Sequence, residues 1–247
     1  MDFEFICYII SIVDLKDYQA GHSEISFGFR GKKLLINELM KKACKKNRNL
    51  KILNIGAGTG DDLDILNKFG ENHLVDIEKE ALPLIKKGIC ASKTVADACA
   101  LPFENSSFDV VVSFDVFEHI PNDNKALQEI YRVLKKDGKL VFSVPAFQTL
   151  FSSHDKALHH VRRYNIKNLN QLLSSFKTKK LFYWNSLLFL PLAITRLKNR
   201  NAEPKIDSPL PKQLNALFFH LLNFDNFLIK HNLSMPIGIS IVGICQK

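Results

Sequence analysis

The sequence predicts an α/β protein built on a doubly wound, mostly parallel sheet. Between residues 50 and 145, apolar runs of strand length alternate four times with helical patterns, and the links between them are short. The run FDVVVSF at residues 108–114 is apolar almost throughout, which is typical of a central strand buried on both faces. The first run of the series ends in GAGTG at residues 56–60, a turn that leads from a strand into a helix.

The individual elements carry start and stop signals. Glycines at positions 70 and 138 end two helices, and the lysine run at residues 41–46 lies in the last turn of the first helix, where cations favour the helix dipole. Residues 5–13 fit a short strand or a covering helix equally well. The predicted strands span residues 52–55, 73–77, 93–95, 108–114, 139–144, 179–184 and 237–245, and the predicted helices span residues 34–44, 61–68, 81–87, 124–134 and 214–229.

Composition limits the class of protein. A hydrophobic content of 46% beside a charged content of 24% is ordinary for a globular chain and excludes a disordered or collagen-like one. The apolar runs at residues 5–13 and 187–194 are shorter than the roughly 18 to 20 residues that span a bilayer, and the acidic start MDFEF does not resemble a secretory signal. Five scattered cysteines without CxxC spacing favour neither structural zinc nor a disulfide framework, so we expect a cytoplasmic protein.

The net charge of +9 is concentrated in the C-terminal part of the chain. Residues 149–247 contain 14 Lys and Arg against 4 Asp and Glu. Such a balance suits an anionic partner, for example a phosphorylated substrate, a membrane surface or a nucleic acid, and a solvated basic face is the alternative explanation.

The glycine turn and two carboxylates at strand ends predict a nucleotide-like ligand. Glycines let the backbone approach such a ligand closely. Asp76 ends the second strand, 16 residues beyond Gly60, where doubly wound sheets place an acidic residue that binds ribose hydroxyls. Capping of the next helix is a compatible role for Asp76. Asp97 likewise ends the third strand. These features leave dinucleotide dehydrogenases and transferases with a nucleoside-containing cofactor both open.

A succession of motifs decides between these two classes. LNIGAGTGDDL, LVDIEKEAL, ADACALPFENSSFDVVVSFDVFEHI and EIYRVLKKDGKLVFSVPAF, over residues 50–147, resemble the class I S-adenosylmethionine-dependent methyltransferases in order and spacing. Dehydrogenases have no counterpart to the stretch from Asp97 to Ile120. The resemblance implies a Rossmann-like methyltransferase fold with seven strands, an antiparallel last strand and a C-terminal helical insertion. It also implies S-adenosylmethionine as cofactor and S-adenosylhomocysteine as product.

The resemblance assigns cofactor contacts along the strand ends. The glycines pass beneath the methionine and ribose, Asp76 holds the ribose hydroxyls and Asp97 accepts from the adenine amino group. Asn54 departs from the family, which more often has Asp there; an amide can bind the turn but offers no carboxylate. The positions implied as cofactor contacts are Asn54, Gly56, Ala57, Gly58, Gly60, Asp76, Ile77, Asp97, Ala98, Ser113 and Phe114.

Candidate catalytic bases fall in two places. Glu118 and His119 follow the fourth strand, and His119 is suited to proton transfer near neutral pH, although the pair fits a helix cap as well. These two residues and Asp115 are possible metal ligands, but the sequence supplies no further one, so we predict no metal. The second place is residues 154–164, where a helix would put His160 and Tyr164 on one face.

That second cluster contains further polar residues. On the same helix Asp155 and His159 would share a face, and the two adjacent arginines that follow would suit a phosphate or carboxylate on the acceptor. A solvated basic helix is the alternative.

The acceptor is suggested by a looser resemblance. PAFQTLFSSHDKALHHVRRY and FGFRGKK look like segments of a methyltransferase type 11-like subgroup associated with glycan or lipid-linked glycan synthesis. This implies O-methylation of a small-molecule, glycan or lipid-linked acceptor. A methyltransferase acting on RNA or another nucleic acid and a non-catalytic cofactor-binding scaffold are the alternatives, but no RNA-binding module is recognisable, so we do not expect nucleic acid as a partner.

The predicted organisation is a single methyltransferase domain. It comprises an N-terminal helical cover at 1–49, a cofactor-binding core at 50–184, a helical insertion at 185–234 and a last strand at 235–247. The insertion has more apolar positions than one buried face requires. We therefore expect a lid over the acceptor site, peripheral membrane contact at the inner face through residues 185–231, or a homodimer.

Overall fold

The computed structural model describes residues 26–44, 49–198, 200 and 211–247. The predicted element at 5–13, the last lysines of the run at 41–46 and most of the proline-rich loop before residue 211 lie outside the described residues. The strands are β1 Leu50–Ile55, β2 Gly70–Asp76, β3 Ser92–Val95, β4 Phe108–Phe114, β5 Leu134–Pro145, β6 Thr178–Trp184 and β7 Ser240–Gln246. The α-helices are α1 Phe27–Cys44, α2 Leu63–Leu66, α3 Asp123–Val133, α4 Ser153–Ala157, α5 Ile166–Leu172, α6 Phe189–Lys198 and α7 Lys212–Lys230.

The seven strands form one sheet in the order β3-β2-β1-β4-β5-β7-β6. The pairs β2 to β3, β1 to β2, β1 to β4 and β4 to β5 are all parallel. β7 runs antiparallel to β5, because the amide of Lys247 donates to the carbonyl of Gly138 while the amide of Ala146 donates to that of Ile239. The predicted fold class is therefore confirmed. The strand order reverses between β1 and β4, and ligands bind doubly wound sheets at the carboxyl ends of the strands beside such a reversal.

The predicted elements differ from the observed ones mainly at the helices. α1 begins at Phe27, seven residues before the predicted start, because FGFRGKK is itself helical. The helix predicted at 61–68 is only the single turn α2, and the one predicted at 81–87 is a 3₁₀ turn at Leu82–Leu84. Ile85 is already extended, and it packs with Leu82 in one apolar cluster. Tertiary packing thus overrides the helical pattern here.

The described chain divides into two compact units. The sheet unit contains Ile36–Val144, Ile166–Leu181 and Val242–Lys247. Of the described residues, the helical unit contains 26–35, 145–165, 182–198, 200 and 211–241. Among the described helices none is both long and apolar enough to cross a membrane. The assignment of a lid role to the insertion stays a prediction.

Candidate active site

The glycine turn follows β1 in the sheet unit. The amides of Gly56 and Ala57 both donate to the carbonyl of Val75, at 2.8 and 3.2 Å. Gly56 has a φ of 70°, and a Cβ at this position would overlap the side chain of Val116. Only glycine therefore fits, because it tolerates the positive φ and leaves room for the neighbouring segment.

Asp76 fixes the same turn from the end of β2. One carboxylate oxygen accepts from the amide of Gly58 at 2.7 Å, and the other accepts from the amide of Glu78 at 2.9 Å. The side chain is almost buried. A carboxylate has about four acceptor positions, so two backbone bonds leave capacity for the hydroxyls of a ribose.

The surroundings of Asp76 fit a nucleoside. A Cβ at Gly58 would meet no atom within 4 Å, so the turn has open space above it. Ile77 is 67% exposed and offers an apolar surface for a flat base. Asp97 is exposed at the end of β3, and its carboxylate accepts from the amide of Cys99 at 2.8 Å. Open space, an apolar surface and two carboxylates together suit an adenosine group.

Three other predicted cofactor contacts lie inside the strands beside this turn. Asn54 is buried in β1, and Ser113 and Phe114 are buried at the end of β4. Ser113 is paired with Ile55, and its hydroxyl has no hydrogen-bond partner among the described residues. A buried hydroxyl without a partner at the end of a central strand is consistent with a ligand contact.

Glu118 and His119 lie in a 3₁₀ turn, Phe117–His119, just after β4. The carboxylate of Glu118 is fully buried, whereas His119 is exposed. The next helix, α3, is capped by Asn122, whose side chain accepts from the amide of Lys125. The helix-capping explanation for the pair is therefore wrong, because another residue already performs that role.

The prediction of one helix over residues 154–164 is also wrong. α4 ends at Ala157, and His159 has a φ of 59°, which breaks the helical path. Tyr164 is buried in a short parallel bridge with Ala146, where its amide donates to the carbonyl of Pro145. His160 and Tyr164 therefore do not share a helical face.

Asp155 is the centre of a buried charged cluster in the helical unit. Its carboxylate accepts from His160 Nδ1 at 3.0 Å, from Arg163 Nε at 2.7 Å and from the amide of Ser152 at 2.9 Å. Arg196 of α6 approaches within 3.4 Å. Burial alone would raise the pKa of Asp155, but the hydrogen bond from His160 and the two guanidinium groups hold that pKa well below its ordinary range.

The cluster contains two histidines. Because Asp155 is ionised, it accepts a hydrogen bond from Nδ1 of His160. His154 is different: burial, reinforced by the charge of Arg196, lowers its pKa to about 3. His154 therefore stays neutral at physiological pH. Arg163 is buried and bound inward, also donating to the carbonyl of Ala146, so it does not serve the predicted acceptor phosphate.

Two functional neighbours carry no local sequence signal. Val116 packs against Gly56 from 60 positions away, and Arg196 joins Asp155 across 41 positions. Helical spacing predicts that Asp155 pairs with His159, whereas the structure pairs it with His160. The only local signal for the observed pair is the short distance along the chain between its two residues.

Comparisons with known proteins agree with this geometry. Residues 53–142 match the family described as "Methyltransferase domain". The chain is 31% identical over 186 residues to "Uncharacterized protein MJ0638" of Methanocaldococcus jannaschii. The aligned region covers 73% of the chain and 78% of that protein. It is 35% identical over 129 residues to the ubiquinone/menaquinone biosynthesis C-methyltransferase UbiE of Pectobacterium carotovorum, covering 46% of the chain and 51% of that enzyme.

A third relative is phosphoethanolamine N-methyltransferase 2 of Caenorhabditis elegans, 30% identical over 131 residues that cover 49% of the chain and 30% of that enzyme. The chain thus matches about half of the length of the first of these enzymes and about a third of the length of the second. A crystal structure of a SAM dependent methyltransferase from Archaeoglobus fulgidus has the same fold, with a TM-score of 0.57, 19% identity and coverage of 93% of the chain and 99% of its own. The family match includes the glycine turn, Asp76 and Asp97, and the chain belongs to the class I S-adenosylmethionine-dependent methyltransferases.

Proposed function

We propose that the protein methylates a hydroxyl oxygen of a small-molecule, glycan or lipid-linked acceptor, with His160 as general base. The observation that carries the proposal is the buried pair of Asp155 and His160, in which the carboxylate fixes one ring nitrogen as a donor. This is the arrangement that orients an imidazole for proton removal through its other nitrogen.

The chemistry of the acceptor atom explains why the presence of a general base favours O-methylation. S-adenosylmethionine, held at the glycine turn and Asp76, supplies an activated methyl group when it is bound. An amine attacks with a lone pair that it already has, whereas an alcohol must lose its proton as the new bond forms. A general base therefore benefits an O-methyltransferase most, by roughly 10²- to 10⁴-fold. Arg163 is committed to Asp155, so this arginine does not bind a phosphate of the acceptor.

The proposal is tested with S-adenosylmethionine labelled in its methyl group. The acceptors are lipid-linked glycans extracted from membranes, neutral oligosaccharides, phosphoethanolamine, a prenylated phenol and an RNA transcript. We expect label on a glycan hydroxyl, and we expect His160→Asn to lower kcat by about 10²-fold or more without changing the affinity for S-adenosylhomocysteine. The matched control is His159→Asn, because His159 is exposed and asparagine accepts its positive φ.

Three results would contradict this function. Label on the amine or on the phenol ring carbon would assign the chemistry to nitrogen or carbon. Transfer to RNA with a steep salt dependence would favour the nucleic-acid alternative. Full activity in His160→Asn would remove the proposed base, whatever the acceptor.

A lipid-linked acceptor would also require contact with a membrane surface, and we infer that α7 provides it. Leu217, Phe224 and Phe227 lie along one face of this helix at helical spacing, and they are 51%, 48% and 53% exposed. His220 and His231 continue the same stripe. Exposed apolar side chains on a helix of a chain with a net charge of +9 are complementary to an anionic bilayer.

The membrane contact is tested by cosedimentation with vesicles of phosphatidylcholine and phosphatidylserine. Replacing Phe224 and Phe227 together with serine should lower partitioning by at least about tenfold, because two rings lose their apolar transfer energy. Val95→Ser is the control, since Val95 is 55% exposed in the sheet unit. Equal partitioning of the double variant would refute the contact, and loss of a concentration-dependent dimer without vesicles would identify the stripe as an interface between copies.

A further inference from the structure

The helical unit contains a buried side-chain amide for which the described residues supply no hydrogen-bond partner. Asn185 follows β6, is 1% exposed, and has no hydrogen-bond partner for either polar atom of its side chain among the described residues. Its φ is 60°, in the left-handed region that asparagine adopts more readily than most residues with a side chain. Buried amides without partners are rare in proteins, and they are often completed by a water molecule or a ligand.

Two neighbouring side chains have the same property. The hydroxyl of Ser186 and one carboxylate oxygen of Asp225 are buried and lack partners within the described ranges. The other oxygen of Asp225 accepts from the amide of Ser186 at 2.5 Å, so this carboxylate lies against the backbone next to Asn185. Burial raises the pKa of Asp225 to about 6, as expected for a carboxyl group that water does not reach.

Other polar groups next to these three residues do form hydrogen bonds. Asn226, the next residue of α7, accepts from Trp184 Nε1 at 2.9 Å and donates to the carbonyl of Gly31 at 3.0 Å. The carbonyl of Asn185 accepts from the amide of Ile239. Loose packing therefore does not account for the missing partners, because polar groups one residue away have found theirs.

Aromatic rings precede this polar group along β6 and continue beyond it into α6. Tyr183, two residues before Asn185, stacks on Phe147 with ring centroids 5.4 Å apart and planes within 11°. Phe147 meets the edge of Phe189 at 5.6 Å and is itself held at a φ of 60°. Aromatic walls with a few convergent polar atoms are characteristic of sites for small ligands.

The donors and acceptors define the ligand. The amide of Asn185 offers two donors and one acceptor, the hydroxyl of Ser186 offers one of each, and the carboxyl of Asp225 offers an acceptor. An anion would be repelled by that carboxyl group, and a cation would leave the amide donors unused. A neutral group that donates and accepts at adjacent atoms uses all of them.

We propose that Asn185, Ser186 and Asp225 form a recognition site for two neighbouring hydroxyl groups, as on a sugar ring, with Tyr183 beside the apolar face of the ring. That this ring belongs to the methyl acceptor rests on the proposed function. The binding itself does not, because it requires neither S-adenosylmethionine nor methyl transfer.

The test uses the single tryptophan of the chain, Trp184, which directly precedes Asn185. Its fluorescence is followed while glucose, mannose or galactose is added to the full-length protein without cofactor, and 1,4-dioxane serves as an ether without hydroxyls. The wild type should respond saturably to at least one hexose and not to dioxane. Asn185→Gly keeps the positive φ but removes the amide, and it should weaken hexose binding by about tenfold or more.

Two further variants make the result decisive. Ser186→Ala retains the backbone bond to Asp225 and should weaken binding by roughly threefold, so it replaces Asn185→Gly if that variant does not fold. Asn223→Ala, an exposed position on α7, should bind as the wild type does. The inference is overturned if no hexose gives a saturable response in the wild type, or if the folded variants at 185 and 186 bind hexoses unchanged. Hexose binding without methylation of any glycan would instead overturn the proposed function alone.

Discussion

Replacing Asp76 with alanine will lower the affinity for S-adenosylhomocysteine by about a hundredfold or more, because the proposed charge-assisted hydrogen bonds to the ribose are lost with the carboxylate. The turn loses its support at the same time, since this carboxylate accepts from the amides of Gly58 and Glu78. Calorimetric titration with S-adenosylhomocysteine measures the change directly.

Two variants separate the contributions of Asp76. Asp64→Ala removes an exposed carboxylate from α2, close to the same turn in sequence, and should leave the affinity unchanged. Asp76→Asn keeps one acceptor oxygen but brings an amide toward a backbone donor, so an intermediate loss is expected. If Asp76→Ala bound S-adenosylhomocysteine as the wild type does, the assignment of Asp76 to the ribose would have to be abandoned.

Replacing Asp155 with alanine will lower the free energy of unfolding by about 3 to 5 kcal/mol, the usual cost of removing one partner from a buried ion pair. The carboxylate is completely buried, and without it Arg163 and Arg196 remain in the interior without their counter-charge. Urea unfolding at pH 7, followed by circular dichroism, measures the loss. Lys156→Ala, an exposed change in the same helix, is the control and should have little effect.

The same cluster predicts how stability depends on pH. The pKa of Asp155 is lowered in the folded state, so its stabilisation is present above the unfolded pKa of about 4 and is lost as the pH falls towards the folded value. His154 acts in the same direction, because its folded pKa of about 3 makes protonation from pH 6.5 downwards favour unfolding. Asp155→Ala should therefore lose less stability below pH 4 than the wild type. If Asp155→Ala had the same free energy of unfolding as the wild type at pH 7, the charged cluster would make no net contribution to stability.

The opposite sign is expected for Asp225. Its folded pKa is raised to about 6, so it costs stability above that pH and the cost disappears as the pH falls below 6. The contributions of Asp155 and Asp225 to the pH dependence overlap between pH 4 and 6. Unfolding Asp155→Ala and the wild type over the same series of pH values separates them.

The sequence predicts the sheet unit well because its signals are local. The apolar run of β4 was predicted with the observed bounds, and the glycine turn lies where β1 ends. Helix lengths were less predictable, because Leu82 and Ile85 satisfy the helical pattern and yet pack as a short turn and an extended residue. An amphipathic pattern indicates which face of a helix is apolar. It does not indicate how many helical turns the packing against neighbouring elements permits.

The sequence by itself determined the fold class, the glycine turn and the positions of Asp76 and Asp97 after strands, since each of these features depends on a few adjacent residues. Only the tertiary structure decided that His160, and not His159, pairs with Asp155, and that Arg196 completes the cluster. It also decided that the carboxylate of Asp225 accepts from the backbone amide of Ser186. These contacts join residues separated by up to 41 positions, and their energy comes from burial and charge that no local pattern encodes.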